Sequence, residues 1–348
     1  GYKRASFTNK AAIKRYAEAQ LIQTAKAVAI KADCRIQAGD VFDKFQGSDD
    51  TLLQGIKVCR NFDVVVAANH DIDNTKTNES TISMCKEVLE ESEVAIITPD
   101  IGEGVSGRIL TFDQQSLAVF VIPHCYTQQQ FELSIMDVHE LRVNSYSKYK
   151  KALLVLHTNY ALGFECTDTT NILRGERNKA LVDHGFDYVI SGHEHNYSEH
   201  LRGRVIMTGA VMPFNSSEYE DKYAVKIDGD GAKKTLIWSA KEHVRTYTPE
   251  TAPETLEEGV QFVTIEGTTT EVGHVELMKK ISSWWNASTS LLTCIPKHEI
   301  VTADSSDALE AVSSLKGVNV VDVVRGVLKG KSLEVFNSVV AELKGTEK

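Results

Sequence analysis

Apolar positions Ile13, Ala17, Leu21, Ala25 and Val28 recur at helical spacing, which predicts a helix over residues 11–30. A short strand is expected next, at Cys34-Arg35-Ile36. Two further cycles follow: Leu52, Leu53 and Ile56 on a helix before the run Val64 to Ala67, then a helix near 80–91 before Ala95-Ile96-Ile97. Helices alternating with short β-branched runs predict an α/β layered domain with a central sheet. The middle of the chain is richer in strands. Leu117 to Ile122, Leu153 to Leu156, Tyr188 to Ile190, Val205 to Met207, Tyr223 to Ile227 and Leu236 to Trp238 are each short, apolar and bounded by polar residues. They predict a second set of strands that closes a two-sheet sandwich, with helices on its outer faces.

Around 247–258 the composition changes to a Thr/Pro/Glu-rich stretch, read as a linker. Val260 to Ile265, a helix near 272–285 and Ser290 to Cys294 then make a small β-α-β unit. The tail is expected to hold two short amphipathic helices. Val320, Val321, Val324 and Leu328 stripe the first, and Leu333, Phe336, Val340 and Leu343 stripe the second. Such helices must bury those stripes, against the protein's own small domain or against a partner. The domain expectation is therefore 1–246 for the main domain, 257–303 for a small cap and 307–348 for a helical tail.

With 348 residues, 42% apolar and 25% charged, the chain has ordinary globular composition and room for one large core with small appendages. No apolar run approaches the roughly 20 residues that span a bilayer. The net charge of −10 argues against nucleic-acid binding through a general basic surface, although bound cations or a partner could supply positive charge. The six cysteines show no Cys-x-x-Cys spacing and are read as buried free thiols of a reducing, cytoplasmic compartment. No signal-peptide pattern opens the chain, and Gly1-Tyr2-Lys3-Arg4 is read as an internal point of entry after a short missing segment.

Four fragments share one format, an apolar strand ending in metal-capable side chains. They are Gly39-Asp40-Val41-Phe42-Asp43, Asn69-His70-Asp71, Leu156-His157 and Gly192-His193-Glu194-His195. Strand ends in α/β layers converge along one rim of the sheet, so these residues can meet there. Carboxylate, amide and imidazole donors suit Mn, Fe, Zn or Mg. A carboxylate between two such half-sites can bridge ions about 3.5–4 Å apart, the geometry used for phosphate-ester cleavage. Each fragment alone is ordinary turn or packing chemistry. Their order, each after an apolar run, carries the signal.

In that order the fragments resemble the calcineurin-like metallophosphoesterase family, whose motifs run Asp-x-His, Gly-Asp-x-x-Asp, Gly-Asn-His-Asp/Glu, His and Gly-His-x-His. Ala68 stands where the third motif usually has Gly. The resemblance implies a two-sheet metallophosphoesterase sandwich flanked by helices, holding two divalent ions, Mn2+ ahead of Mg2+. It implies Asp40 as the bridging carboxylate, with Asn69, His157 and His193 completing one metal site and His195 belonging to the other. It also implies His70 acting at the leaving oxygen of the phosphate, with Asp71 orienting it. The Asp-x-His motif has no counterpart upstream of Gly39, so a chain beginning at Gly1 is expected to lack two ligands of one site and to be catalytically impaired.

Within the family, Asp71 in place of Glu leans away from the protein-phosphatase branch. Gly39 to Asp43 ahead of a helix, the Val121-Ile122-Pro123 strand, Tyr188 to His193 and Val205 to Ala210 ahead of Asn215 and Tyr223 resemble the bacterial and phage SbcD-type nucleases. That implies DNA as substrate and an SbcC-like SMC-family ATPase as partner, bound through the tail, in a heterotetramer built on a homodimer. Two alternatives stand beside it: a small-molecule or cyclic-nucleotide phosphodiesterase, and an architectural subunit with a dispensable metal site. Trp284-Trp285 is open between base stacking and cap core. Lys148, Lys150, Lys151, Arg174, Arg177 and Lys179 are read as solvated helix ends, and His124, His139, His184 and His200 as structural.

Overall fold

The computed structural model describes residues 10–42, 44, 47–72, 80–100, 105–158, 180, 185–214 and 218–301. Three helix–strand cycles come first: α1 (Lys10–Val28), β1 (Ile36–Gln37), α2 (Asp49–Cys59), β2 (Val64–Val66), α3 (Thr81–Val88) and β3 (Ala95–Ile97). Ser48 caps α2 by accepting from the Thr51 amide, and Ser80 caps α3 through the Ser83 amide. The chain continues through β4 (Arg108–Phe112), β5 (Leu117–Ile122), α4 (Gln128–Asn144), β6 (Lys151–Leu156), β7 (Tyr188–Ser191), β8 (Ser198–His200) and β9 (Val205–Met207). A hairpin of β10 (Lys222–Asp228) and β11 (Gly231–Trp238) follows, then α5 (Ala240–His243), β12 (Val244–Tyr247), β13 (Phe262–Ile265), β14 (Thr268–Thr269), α6 (Glu271–Ala287), β15 (Thr293–Pro296) and β16 (Glu299–Ile300).

β1, β2 and β3 form a parallel sheet in that order. The larger sheet runs β4-β5-β6-β7-β9-β8, parallel from β5 to β9 with an antiparallel strand at each edge. Strand period two decides what each face does. Val64 and Val66 of β2 share a core with Val119 and Val121 of β5, Leu153 and Val155 of β6, Ile190 of β7 and Ile206 of β9. Val65, between them, turns the other way to Ile56, Cys59, Ile82 and Cys85 of α2 and α3. On the large sheet, Phe120, Ile122, Leu154 and Leu156 likewise turn away, toward Phe131, Ile135 and Val138 of α4. Two sheets thus bury one face against each other and the opposite faces against helices. A mixed α/β fold of this kind is what the apolar pattern predicts.

Helix α4 and strand β4 were not anticipated. The buried face of α4 is part polar: Gln130 and Ser134 are buried beside Phe131, Ile135 and Val138, which blurs the apolar stripe. These two side chains hold the neighbouring loop. Ser134 Oγ accepts from the Ser106 amide at 2.9 Å, and Gln130 Nε2 donates to the Asp100 carbonyl and to Ser106 Oγ.

The chain divides into two units. Residues 257–263 and 288–294, expected in the cap, belong to the first unit. The reason is apolar: Phe262 and Leu292 lie in one cluster with Trp238, Met212 and Tyr16. The second unit takes 246–256, 264–287 and the described residues from 295. There Trp284 is buried and its indole N–H reaches the carbonyls of Pro253 and Glu254, so this member of the Trp pair is core. No described helix is long and apolar enough to cross a membrane. The tail from 307, with Asp43, Cys166, Arg174, Arg177, Lys179 and His184, lies outside the described residues.

Replacing Ser134 by Ala leaves the buried Ser106 amide without its acceptor. The expected loss is about 1–3 kcal/mol of unfolding free energy, read by urea denaturation of the purified chain. An unchanged midpoint would mean that the loop does not depend on this bond.

Candidate metal centre

Four segments meet beyond the carboxyl ends of β1, β2, β6 and β7. Two glycines make the approach close enough. A Cβ on Gly39 would lie 2.2 Å from His157 Nδ1, and one on Gly192 would lie 2.2 Å from the Ala38 carbonyl oxygen. Gly39 also has φ +109° and is bracketed by Gln37, whose amide accepts from its N–H and donates to its carbonyl. Asp40 follows with φ +56°, a left-handed conformation that a residue with a Cβ rarely adopts.

His157 is the hub. Its Nδ1 faces the Ala38 carbonyl at 3.0 Å. Its Nε2 faces Asp40 Oδ2 at 3.2 Å, Asn69 Oδ1 at 3.1 Å and His193 Nδ1 at 3.3 Å. The two imidazoles meet edge to face, with centroids 5.1 Å apart. Ligand atoms of Asp40, His157 and His193 all lie within 4.8 Å of one another. A ring nitrogen ringed by two oxygens and a second imidazole either carries a proton or shares a cation with them. Asp40 Oδ1 is buried and has no hydrogen-bond partner among the described residues, a costly state for a carboxylate that a bound cation would relieve. These N and O donors fit a divalent ion of the Mn, Zn or Mg class.

The electrostatics favour charge on Asp40. Burial works against it, but the charge of His157, its hydrogen bond, and the charges of His70 and His193 bring the carboxyl down to about 2. Burial likewise opposes the His157 imidazolium, and the Asp40 charge with the bonds to Asp40 and Ala38 carries its pKa above the ordinary value. Asp71 behaves in the opposite sense: desolvation and then the Asp40 charge push it up to about 7 against the pull of two amides.

Those amides define what Asp71 does. Oδ1 accepts from Phe42 N–H at 2.8 Å and Oδ2 from Ala68 N–H at 2.9 Å. The carboxylate therefore pins the loop after Asp40 to the loop carrying Asn69 and His70. His70 is half-buried on the same loop and close enough for its charge to act on Asp40. His195 stands outside the three-residue cluster. Its Nδ1 is 2.9 Å from Glu218 Oε1, and its ring stacks on Phe214 with centroids 5.4 Å apart. Burial opposes the charge of Glu218, yet the bonds from His195 and from the Phe214 amide hold it below the usual carboxylate range.

Three residues near the centre escape the sequence reading. Glu218 follows the polar pair Ser216-Ser217 in the sequence, and Lys222 opens an unremarkable strand, so neither belongs to a motif. Lys222 is almost wholly buried, with its ammonium on the His195 carbonyl and Asn196 Oδ1. His124, read as structural, is buried with Nδ1 unpartnered. Burial, then the charge of His157, drives it down to about 3, which keeps it neutral. Lys151 is spent on the Asp228 carbonyl.

Comparison with known protein-family models and with curated proteins returns no match for this chain.

Gly39→Ala should force His157 out of register with Asp40. The expectation is at least a tenfold loss of Mn2+ affinity by isothermal titration, together with about 1–3 kcal/mol of destabilisation from overpacking. Wild-type Mn2+ binding in this variant would exclude His157 as a ligand.

Proposed function

We propose that the chain is a metal-dependent phosphodiesterase acting on DNA, of the calcineurin-like metallophosphoesterase type and nearest its SbcD-type nucleases. The observation that carries this reading is the convergence of Asp40, Asn69, His157 and His193 around one point, with a buried Asp40 oxygen left without a partner. Those four residues, in that chain order, are the ones the motif resemblance nominates for a single ion.

Asp40, Asn69, His157 and His193 would hold one divalent ion, and His195 would contribute to holding a second. Divalent cations bound there supply electrophilic activation of the phosphodiester and of water. His70, on the loop that Asp71 clamps, donates a hydrogen bond or proton to the oxygen leaving the phosphorus. Asp71 keeps that loop in register with Asp40, so its contribution to turnover runs through position. The net charge of −10 suits a subunit whose DNA grip comes partly from its cations and partly from an SMC-like ATPase partner docked on the tail.

Turnover of bis(p-nitrophenyl) phosphate and of end-labelled DNA with Mn2+ tests the reading. His193→Ala should lose both metal and activity. His70→Ala should keep Mn2+ and lose about 100- to 10,000-fold in rate. Equal activity in His193→Ala and wild type would sink the metal mechanism. Cleavage of cyclic mononucleotides without cleavage of DNA would move the substrate to the small-molecule class.

A further inference from the structure

His195 is held at three places by side chains that nothing else in the reading uses. Glu218, only 6% exposed, divides its carboxylate: Oε1 meets His195 Nδ1 at 2.9 Å, and Oε2 accepts from Phe214 N–H at 2.9 Å. The Phe214 ring that follows from that amide stacks on the His195 imidazole, 29° from parallel. Lys222, 1% exposed, fixes the main chain of the same residue through the His195 carbonyl at 2.9 Å and the Asn196 side chain at 2.7 Å. Helix α1 braces the far side: Tyr16 packs edge to face on Phe214 and donates to the Pro213 carbonyl at 2.8 Å. A buried carboxylate and a buried ammonium are expensive to keep unless each has a structural use. Here the carboxylate meets the His195 ring and the ammonium meets the backbone carbonyl of the same residue.

An ionised carboxylate only accepts hydrogen bonds. The ring nitrogen beside it must then carry the proton, which leaves the lone pair on the other nitrogen. We propose that Glu218 is the positioning residue for His195, locking the Nδ1–H tautomer so that Nε2 is presented as a ligand to a divalent cation. Lys222 and Phe214 fix the backbone and the ring plane of the same ligand. A carboxylate behind a histidine ligand sets both its tautomer and its basicity. The proposal rests on the metal-centre reading above and assigns to it a supporting group outside every motif.

The test is long-range 1H–15N NMR of the histidine side chains in the full chain at pH 8, before and during titration with Zn2+ as a diamagnetic probe. In the metal-free wild type, His195 should carry its proton on Nδ1, and its Nε2 resonance should move as Zn2+ is added. Glu218→Gln keeps the side chain's shape and an oxygen for Phe214 N–H, but turns an N–H donor toward His195. The proton should then shift to Nε2, and the Zn2+ response of His195 should weaken about 10- to 100-fold while the metal-free melting temperature stays close to wild type. A merely structural Glu218 would change the melting temperature and leave the tautomer alone. If Glu218→Gln does not fold, the wild-type spectra decide: a proton on His195 Nε2 overturns the proposal. Zn2+ shifts at His157 and His193 with none at His195 would overturn it too and leave the metal centre standing. No response at any of these three histidines would bring down the metal-centre reading itself.

Discussion

The site depends on one buried imidazole. His157 has no solvent exposure, and every direction around its ring is occupied by a group from another strand end: Ala38 and Asp40 after β1, Asn69 after β2, His193 after β7. Its own strand, β6, lies inside the large sheet between β5 and β7 and is buried from Ala152 to Leu156, so the ring is carried by a core strand. Gly39 and Gly192 are the condition for this closeness, since a single added carbon at either would collide at 2.2 Å. The small sheet and the large sheet thus meet twice, once through their valine faces and once through this ring.

Around that hub two aspartates divide the work by environment. Asp40 sits among imidazoles and is held charged, while Asp71, bonded to two backbone amides, is driven upward by burial and then by the like charge of Asp40. Carboxylates whose surroundings push them apart have separate roles. One stands in a cluster that could hold a cation, and the other binds two loops together. His195 belongs to a different frame, built from Glu218, Phe214 and Lys222 and braced by Tyr16 of α1. The first helix of the chain therefore reaches the centre through packing, although it supplies no donor atom.

Much of this was legible in the residues alone. Short continuous apolar and β-branched runs marked β2, β3, β5, β6, β7 and β9, because strands buried on both faces need apolar side chains on both. Strand-end placement singled out Asp40, Asn69, His157 and His193, because parallel strands bring their carboxyl ends to one rim. Helix α4 escaped because two of its five buried residues are Gln130 and Ser134, which satisfy a loop rather than an apolar core. The placement of residues 257–263 and 288–294 escaped because the cluster that buries Phe262 and Leu292 draws on residues distant in sequence, Tyr16, Met212 and Trp238 among them.

What the sequence determined by itself was local and periodic: which runs form strands, and which polar side chains stand at their ends. What the tertiary structure alone decided was pairing across distance. Asp71 became a clamp because two backbone amides from separate loops converge on it. Glu218 and Lys222 became the frame of His195 because the chain returns beside it after more than twenty residues. A hydrogen bond to a backbone amide or carbonyl leaves no trace in residue spacing, since any residue can supply that partner. Only the folded chain says which one does.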